Sequence, residues 1–87
     1  MFIKDKNKIT NVENISQIYI EEWDLDNTEI MWCIRYVGVV QSGCFSPRFS
    51  SSENAEKCLI EIVCAIANNF TIIDLQDICY SIKDKNT

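Results

Sequence analysis

The stretch that decides the fold is SSENAEKCLIEIVCAIANN, residues 51–69, because it carries the most hydrophobic helix pattern of the chain. From Glu53 to Ala67 apolar residues recur every three or four positions, which is the spacing of a helix face that packs on a core. Ser50 with Glu53 fits a capping box at the start, and the two final asparagines suit the helix exit. The predicted core face consists of Ala55, Cys58, Leu59, Ile62, Val63 and Ile66.

A second flank of this helix is also apolar, since Ile60, Cys64 and Ala67 lie outside the core face. A helix that is apolar most of the way round must be buried on more than one side. Either the C-terminal segment folds back over this flank, or a second copy of the chain covers it around a two-fold axis. The second interpretation makes these three residues a candidate interface of a homo-oligomer.

The chain upstream of the helix is predicted to form strands. Residues 15–23 and 29–40 are rich in β-branched and aromatic side chains, and turn-forming aspartates and an asparagine lie between them. We expect an antiparallel hairpin whose second strand is central in the sheet. Residues 44–49 suit an edge strand because Pro47 has no N–H, and we expect residues 2–9 to supply one more short strand.

The C-terminal segment TIIDLQDICYSIKDK, residues 71–85, fits two structures. Thr71 and Asp74 make a capping-box pattern that favours a second helix, whereas the first residues also suit a short strand. The whole chain, residues 1–87, is therefore predicted to be a single α+β domain. We expect a small antiparallel sheet of three to five strands packed against one long helix, with a C-terminal second helix or short strand.

Composition excludes several functional classes. The net charge of −5 disfavours direct binding of nucleic acid or an anionic membrane, and the lack of histidine removes triads and imidazole metal ligands. The five cysteines are odd in number and form no CxxC pair, which is typical of reduced thiols in the cytoplasm. No segment resembles a signal peptide or a membrane span. We expect a cytoplasmic protein that is not an enzyme and uses no cofactor or metal.

A candidate ligand site precedes the helix. Backbone N–H groups at a helix start, hydroxyls and a guanidinium together bind anions, and aromatic rings stack on bases. Alternatively the serines only cap the helix, because Glu53 and Glu56 already place negative charge in its first turn. The candidate residues for a small nucleotide ligand are Arg48, Ser50, Ser51, Ser52, Phe45 and Phe49.

A cluster of acidic residues surrounds the hairpin turn. It is either a solvated tip or a surface that binds a partner by occupying its basic channel, and a weak cation site is a further alternative. The candidate partner-binding residues are Glu21, Glu22, Asp24, Asp26 and Glu29.

Three stretches together, KITNVENISQIYIEE, SSENAEKCLIEIVCAI and TIIDL, resemble small uncharacterised phage and prophage proteins of low-GC Gram-positive bacteria. The resemblance is carried by Ile9, Asn11, Asn14, Ile15, Ser52, Ala55, Leu59 and Ile62. Proteins of this size class include inhibitors of bacterial immunity, which block a defence protein or sequester a nucleotide signal.

The resemblance implies a non-catalytic phage-type binding protein that counteracts a bacterial defence system of the host cell. Its partner is then a small nucleotide ligand or a host defence protein. Two alternatives are an acidic inhibitor that mimics nucleic acid, as anti-CRISPR proteins do, and a structural or regulatory prophage protein.

Overall fold

The computed structural model describes residues 1–25 and 29–85 of the chain. Within these residues the fold is α+β, with two three-stranded sheets, two α-helices and one turn of 3-10 helix at Val12–Asn14. The strands are β1 (Phe2–Asp5), β2 (Lys8–Asn11), β3 (Ile15–Leu25), β4 (Glu29–Gly38), β5 (Ser42–Phe49) and β6 (Ile72–Asp74), and the helices are α1 (Ser52–Ala67) and α2 (Leu75–Lys85).

The larger sheet has the order β3-β4-β5 and is antiparallel throughout. The predicted hairpin and its central second strand are confirmed, and β5 is the edge strand expected from Pro47. Ile34, Tyr36 and Phe45 project from β4 and β5 into the core, where each is at most 3% exposed. The rings of Tyr36 and Phe45 lie with their centroids 4.8 Å apart. This face of the sheet packs against α1.

The smaller sheet corrects the expectation of a single antiparallel sheet. Its order is β2-β1-β6, and the N-terminal region supplies two strands, joined at Lys6 with a left-handed φ of 56°, where one was expected. β1 pairs in parallel with β6, so Ile3 lies beside Ile73, and both side chains are buried. A parallel pair requires a long crossover connection, which the rest of the chain provides.

Helix α1 begins and ends close to the predicted positions. Its N-cap is Ser51, whose hydroxyl accepts the N–H of Asn54 at 3.2 Å, so the predicted capping box of Ser50 and Glu53 is wrong. At the other end Asn69 has a φ of 58°, which confirms the left-handed helix exit.

The buried face of α1 is narrower than predicted. Ala65 is buried, whereas Val63 is 50% and Ile66 is 38% exposed, so the prediction that these two belong to the core is wrong. The residues that contact the core form one narrow stripe along the helix, and the apolar side chains beside this stripe are exposed to solvent. The buried residues of α1 are Ala55, Cys58, Ile62 and Ala65.

The C-terminal segment contains both structures that its sequence suits, β6 followed directly by α2. Asp74 Oδ1 accepts the N–H of Gln76 at 2.9 Å, so Asp74 itself caps α2 and the capping box from Thr71 is wrong. Leu75 and Ile82 anchor the helix in the core. Neither described helix combines the length and the apolar character that crossing a membrane requires.

Candidate functional site

The six predicted ligand-binding residues do not form one site. Phe45 and Phe49 are 1% and 7% exposed and belong to the core, so neither ring is available to cover a base. Ser51 uses its hydroxyl to cap α1, while Ser50 and Ser52 are exposed beside it. The helix start is therefore a capped terminus, as in the alternative interpretation of these serines.

The described contacts of Arg48 are with β5 and β3. Its Nη1 donates to the carbonyl oxygens of Phe45, Ser46 and Pro47 at 2.7, 3.0 and 3.2 Å. Its guanidinium carbon lies 4.1 Å from the ring centroid of Trp23, which is within the range of a cation–π contact. These contacts hold the positive charge of Arg48 at the edge of the larger sheet.

A cleft of about 290 Å³, here called the β5–α2 cleft, opens beside Arg48. Its walls come from three parts of the fold: residues 46–49 of β5, Lys6 in the turn after β1, and Gln76, Cys79 and Tyr80 of α2. Tyr80 is 69% exposed, and Phe49 gives the floor an apolar character. The cleft therefore combines charged, aromatic and apolar surfaces.

The buried carboxylate of Asp5 joins these walls. Its Oδ2 accepts the N–H of Ser46 at 2.7 Å, and its Oδ1 accepts the Ser46 hydroxyl at 2.5 Å and Nε2 of Gln76 at 2.8 Å. Gln76 Oε1 in turn accepts the N–H of Lys6 at 2.8 Å. The carboxylate thus satisfies a backbone N–H of an edge strand and fixes the cleft walls relative to one another.

The Asp5 carboxyl is held in its ionised form. Burial raises its pKa, but the hydrogen bonds from Ser46 and Gln76, with the nearby charge of Lys6, outweigh burial and leave the pKa below its ordinary value. A carboxylate that already accepts several hydrogen bonds is a structural anion and a poor proton acceptor for a reaction. Asp5 therefore has a positioning role in the cleft.

Two cations border the β5–α2 cleft. Within the described part of the chain neither Lys6 nor Arg48 forms an ion pair. Lysine offers a compact positive charge and arginine offers a planar set of N–H donors, and both recognise phosphate. Together with the exposed ring of Tyr80, they give the cleft the chemistry that the sequence assigned to the helix start.

Only part of the predicted acidic surface is described. Glu21 Oε2 accepts a hydrogen bond from Nη1 of Arg35 at 2.9 Å, so this carboxylate already has a cationic partner. Glu22 is exposed. Asp26 and the side chains of Asp24 and Glu29 lie outside the described residues. The partner-binding role of this cluster stays a prediction.

The predicted oligomer flank is open to solvent. Ile60 is 59% exposed, and Cys64 and Ala67 are exposed as well. Helix α2 packs on α1 but leaves this flank uncovered, and a groove of about 450 Å³, here called the α1–α2 groove, lies between the helices. Its apolar lining comes from Ile60, Ile78 and Ile82. The surface for association is therefore present, and association itself stays a prediction.

The sequence-based reasoning missed every cleft residue that lies outside β5: Lys6, Gln76, Cys79 and Tyr80. They lie far from Arg48 along the chain, and the fold alone brings them together. One signal was available, because the turn after β1 lies in the short basic run KDKNK of an otherwise acidic protein. Gln76 and Tyr80 carry no comparable signal.

Among the described residues, no group of three or more cysteine, aspartate and glutamate side chains is placed to hold a metal ion. Comparison with known proteins finds no protein family, no curated protein and no solved structure that matches this chain. The resemblance to phage proteins therefore stays a prediction, and the geometry of the fold is what supports a function.

Proposed function

We propose that this chain is a non-catalytic binding protein that holds a small phosphate-bearing ligand with a flat ring in the β5–α2 cleft. The observation that carries the proposal is the pairing of two cations, Lys6 and Arg48, across one cleft without ion-pair partners in the described structure. The cleft walls hold these two cations and one ionised carboxylate, Asp5, so their summed charge is positive in a chain whose net charge is −5, which favours an anion.

Each wall of the cleft has a role in this proposal. Lys6 and Arg48 bind the phosphate oxygens, and Nη1 of Arg48 is already oriented by three backbone carbonyls, which lowers the entropic cost of binding. Tyr80 stacks on the flat ring from the solvent side, because its own ring is mostly exposed. The apolar surface of Phe49 and Pro47 excludes water beneath the ligand.

The size of the cleft limits the ligand. A volume of about 290 Å³ lies at the lower end of the range for small-molecule pockets. A mononucleotide fits this scale better than a dinucleotide, which needs further contacts outside the cleft. A second copy of the chain is one source of such contacts.

Binding in this cleft is stoichiometric in our proposal. The chain has no histidine, and the Ser46 hydroxyl already donates to Asp5, whose lowered pKa makes it a weak base. A protein of this kind removes a nucleotide signal by holding it. The resemblance to phage proteins supports the biological role, which is sequestration of a signal of a bacterial defence system. Engagement of a defence protein is the competing proposal.

Isothermal titration calorimetry tests the ligand. We expect heat of binding with one or more members of a panel of mononucleotides, cyclic nucleotides and ADP-ribose derivatives. Lys6→Ala and Arg48→Ala each lower the affinity by at least about tenfold, since each removes a charge-assisted hydrogen bond. Tyr80→Ala weakens nucleotide binding but leaves the binding of inorganic phosphate unchanged.

The matched control is Lys4→Ala, which removes a lysine from β1 whose Nζ contacts Asp74 at 3.3 Å and which does not line the cleft. This variant should bind as the wild type does. If no member of the panel binds, or if the Lys6 and Lys4 variants bind equally well, the proposed site is rejected.

A further inference from the structure

Two cysteines meet behind the β5–α2 cleft. Cys58 of α1 is fully buried, whereas Cys79 of α2 is half-buried and lines the cleft. The two thiols are in hydrogen-bond contact, and both belong to the packed core between the helices. Of the two cysteines, only Cys79 therefore borders the cleft.

The environment separates the roles of the two sulfurs. The hydrogen bond to Cys79 and the burial of Cys58 both raise the pKa of the Cys58 thiol. Cys58 therefore keeps its proton, while Cys79 is the sulfur that a small reagent reaches through the cleft. The cations of Lys6 and Arg48 line the same cleft and favour negative charge there.

We propose that Cys79 and Cys58 are a peroxide-sensitive dithiol that closes into an intramolecular disulfide and links α2 to α1. Cys79 is the attacking sulfur and Cys58 is the resolving sulfur. The proposal concerns the reactivity of the chain itself and does not depend on the identity of any ligand in the cleft.

The reaction has two balanced steps with hydrogen peroxide as the oxidant. The Cys79 sulfur attacks one peroxide oxygen, an S–O bond forms, the O–O bond breaks, and the departing hydroxide takes the Cys79 proton as water. The Cys58 sulfur then attacks the Cys79 sulfenic acid, an S–S bond forms, the S–O bond breaks, and the second hydroxide leaves with the Cys58 proton as water. Two thiols are oxidised by two electrons, and one peroxide is reduced to two waters.

A second thiol pair provides an internal comparison. Cys33 and Cys44 are also in hydrogen-bond contact, on the face of the larger sheet away from α1. In the strand register Cys33 lies opposite Arg48 and Cys44 lies opposite Arg35, so the two cysteines are diagonal neighbours. Strand pairing on both sides, of Cys33 with Arg48 and of Arg35 with Cys44, holds the backbones of this pair in the sheet and opposes the adjustment that a disulfide requires. We expect this pair to stay reduced when Cys58 and Cys79 are oxidised.

Mass spectrometry of the full chain tests the proposal. Cys64 is exposed and able to link two molecules, so Cys64→Ser is the background for every sample. After mild treatment with hydrogen peroxide and blocking of free thiols, we expect a loss of two of the four remaining thiols and a cross-linked peptide pair containing Cys58 and Cys79. Dithiothreitol should restore both thiols.

Two variants separate the steps. Cys58→Ser should stop at the Cys79 sulfenic acid, which dimedone traps, whereas Cys79→Ser should leave Cys58 reduced. Circular dichroism checks that both variants fold. If one variant does not fold, the peptide map of the Cys64→Ser protein, in which Cys58 and Cys79 are both present, tests the proposal. Oxidation of Cys79 beyond the sulfenic acid without a cross-link, a cross-link between Cys33 and Cys44 alone, or thiols that all stay reduced would each overturn the proposal.

Discussion

Helix α2 separates two surfaces of different character. On one side, the β5–α2 cleft presents Lys6, Arg48 and an exposed tyrosine. On the other side, the α1–α2 groove is larger, about 450 Å³ against 290 Å³, and three isoleucines line it together with the charged residues Lys57, Glu61 and Asp77 at its borders. The comparison indicates that one short helix borders both a cleft with two cations and a groove whose lining is largely apolar.

The two surfaces are also held together by different forces. Directional hydrogen bonds to the Asp5 carboxylate fix the cleft walls, whereas apolar contacts of Leu75 and Ile82 hold α2 against the core. Apolar contacts are nondirectional and permit small shifts of packed helices. We therefore expect the cleft to depend strongly on single polar residues and the groove to tolerate most conservative apolar changes.

Removal of the Asp5 carboxylate should lower the stability of the fold more than any of the other substitutions. Asp5→Ala leaves the Ser46 N–H and the Gln76 amide without their acceptor, which should lower the free energy of unfolding by about 4 kcal/mol. Urea unfolding at neutral pH, followed by circular dichroism, measures this loss. The control is Lys4→Ala on the same strand, where an exposed ion pair with Asp74 is expected to contribute at most about 1 kcal/mol. Equal losses in the two variants would contradict the role given to Asp5.

The pH dependence of stability tests the same carboxylate. Because the pKa of Asp5 is lower in the folded chain than its ordinary value of 3.8, its contribution is fully present above that value. The contribution is lost as the pH falls through the lower, folded pKa. We expect stability to fall more steeply below about pH 3.8 in the wild type than in Asp5→Asn. If stability falls equally steeply with pH in both proteins, the pKa of Asp5 is not lowered by folding.

A charged side chain placed in the α1–α2 groove tests whether a second copy of the chain binds there. If a second copy covers Ile60, Cys64 and Ala67, then Ile60→Glu buries an unpaired carboxylate and should weaken association by about 100-fold, or nearly 3 kcal/mol. Analytical ultracentrifugation at micromolar concentration measures the dissociation. Val40→Glu, at a residue that is 94% exposed and does not line the groove, is the matched control. A wild-type chain that stays monomeric at high micromolar concentration would leave the groove without this partner.

The sequence predicted what depends on local pattern. The bounds of α1 differ by one residue from those expected, and the β3–β4 hairpin follows from its β-rich segments. Periodicity could not show which line of a broadly apolar helix meets the core, so Val63 was assigned to the wrong side. Long-range pairing was equally hidden, because β1 and β6 come from opposite ends of the chain.

The same limit applied to the site. Arg48 was identified as an anion-binding residue from its position before the helix, but its orientation depends on carbonyl acceptors within β5 and on Trp23 in another strand. Its companions Lys6 and Tyr80 come from a turn and a helix that no local motif connects. A sequence can show that an arginine is available to bind an anion, whereas the residues that face it across a cleft depend on the fold.

The contact between Trp23 and Arg48 is expected to make the smallest contribution to stability. Trp23 is 40% exposed and stacks on the Arg48 guanidinium at 4.1 Å, a contact at this exposure that contributes about 0.5–1 kcal/mol. Trp23→Leu should therefore lower stability by about that amount, whereas Trp23→Phe keeps a ring and most of the contact. Any effect on ligand affinity should stay within about threefold, because the β5 carbonyls still hold Nη1 of Arg48. A double-mutant cycle with Arg48→Ala isolates the contact by urea unfolding. A coupling free energy near zero would show that the β5 carbonyls alone orient the Arg48 guanidinium and that Trp23 has no influence on the cleft.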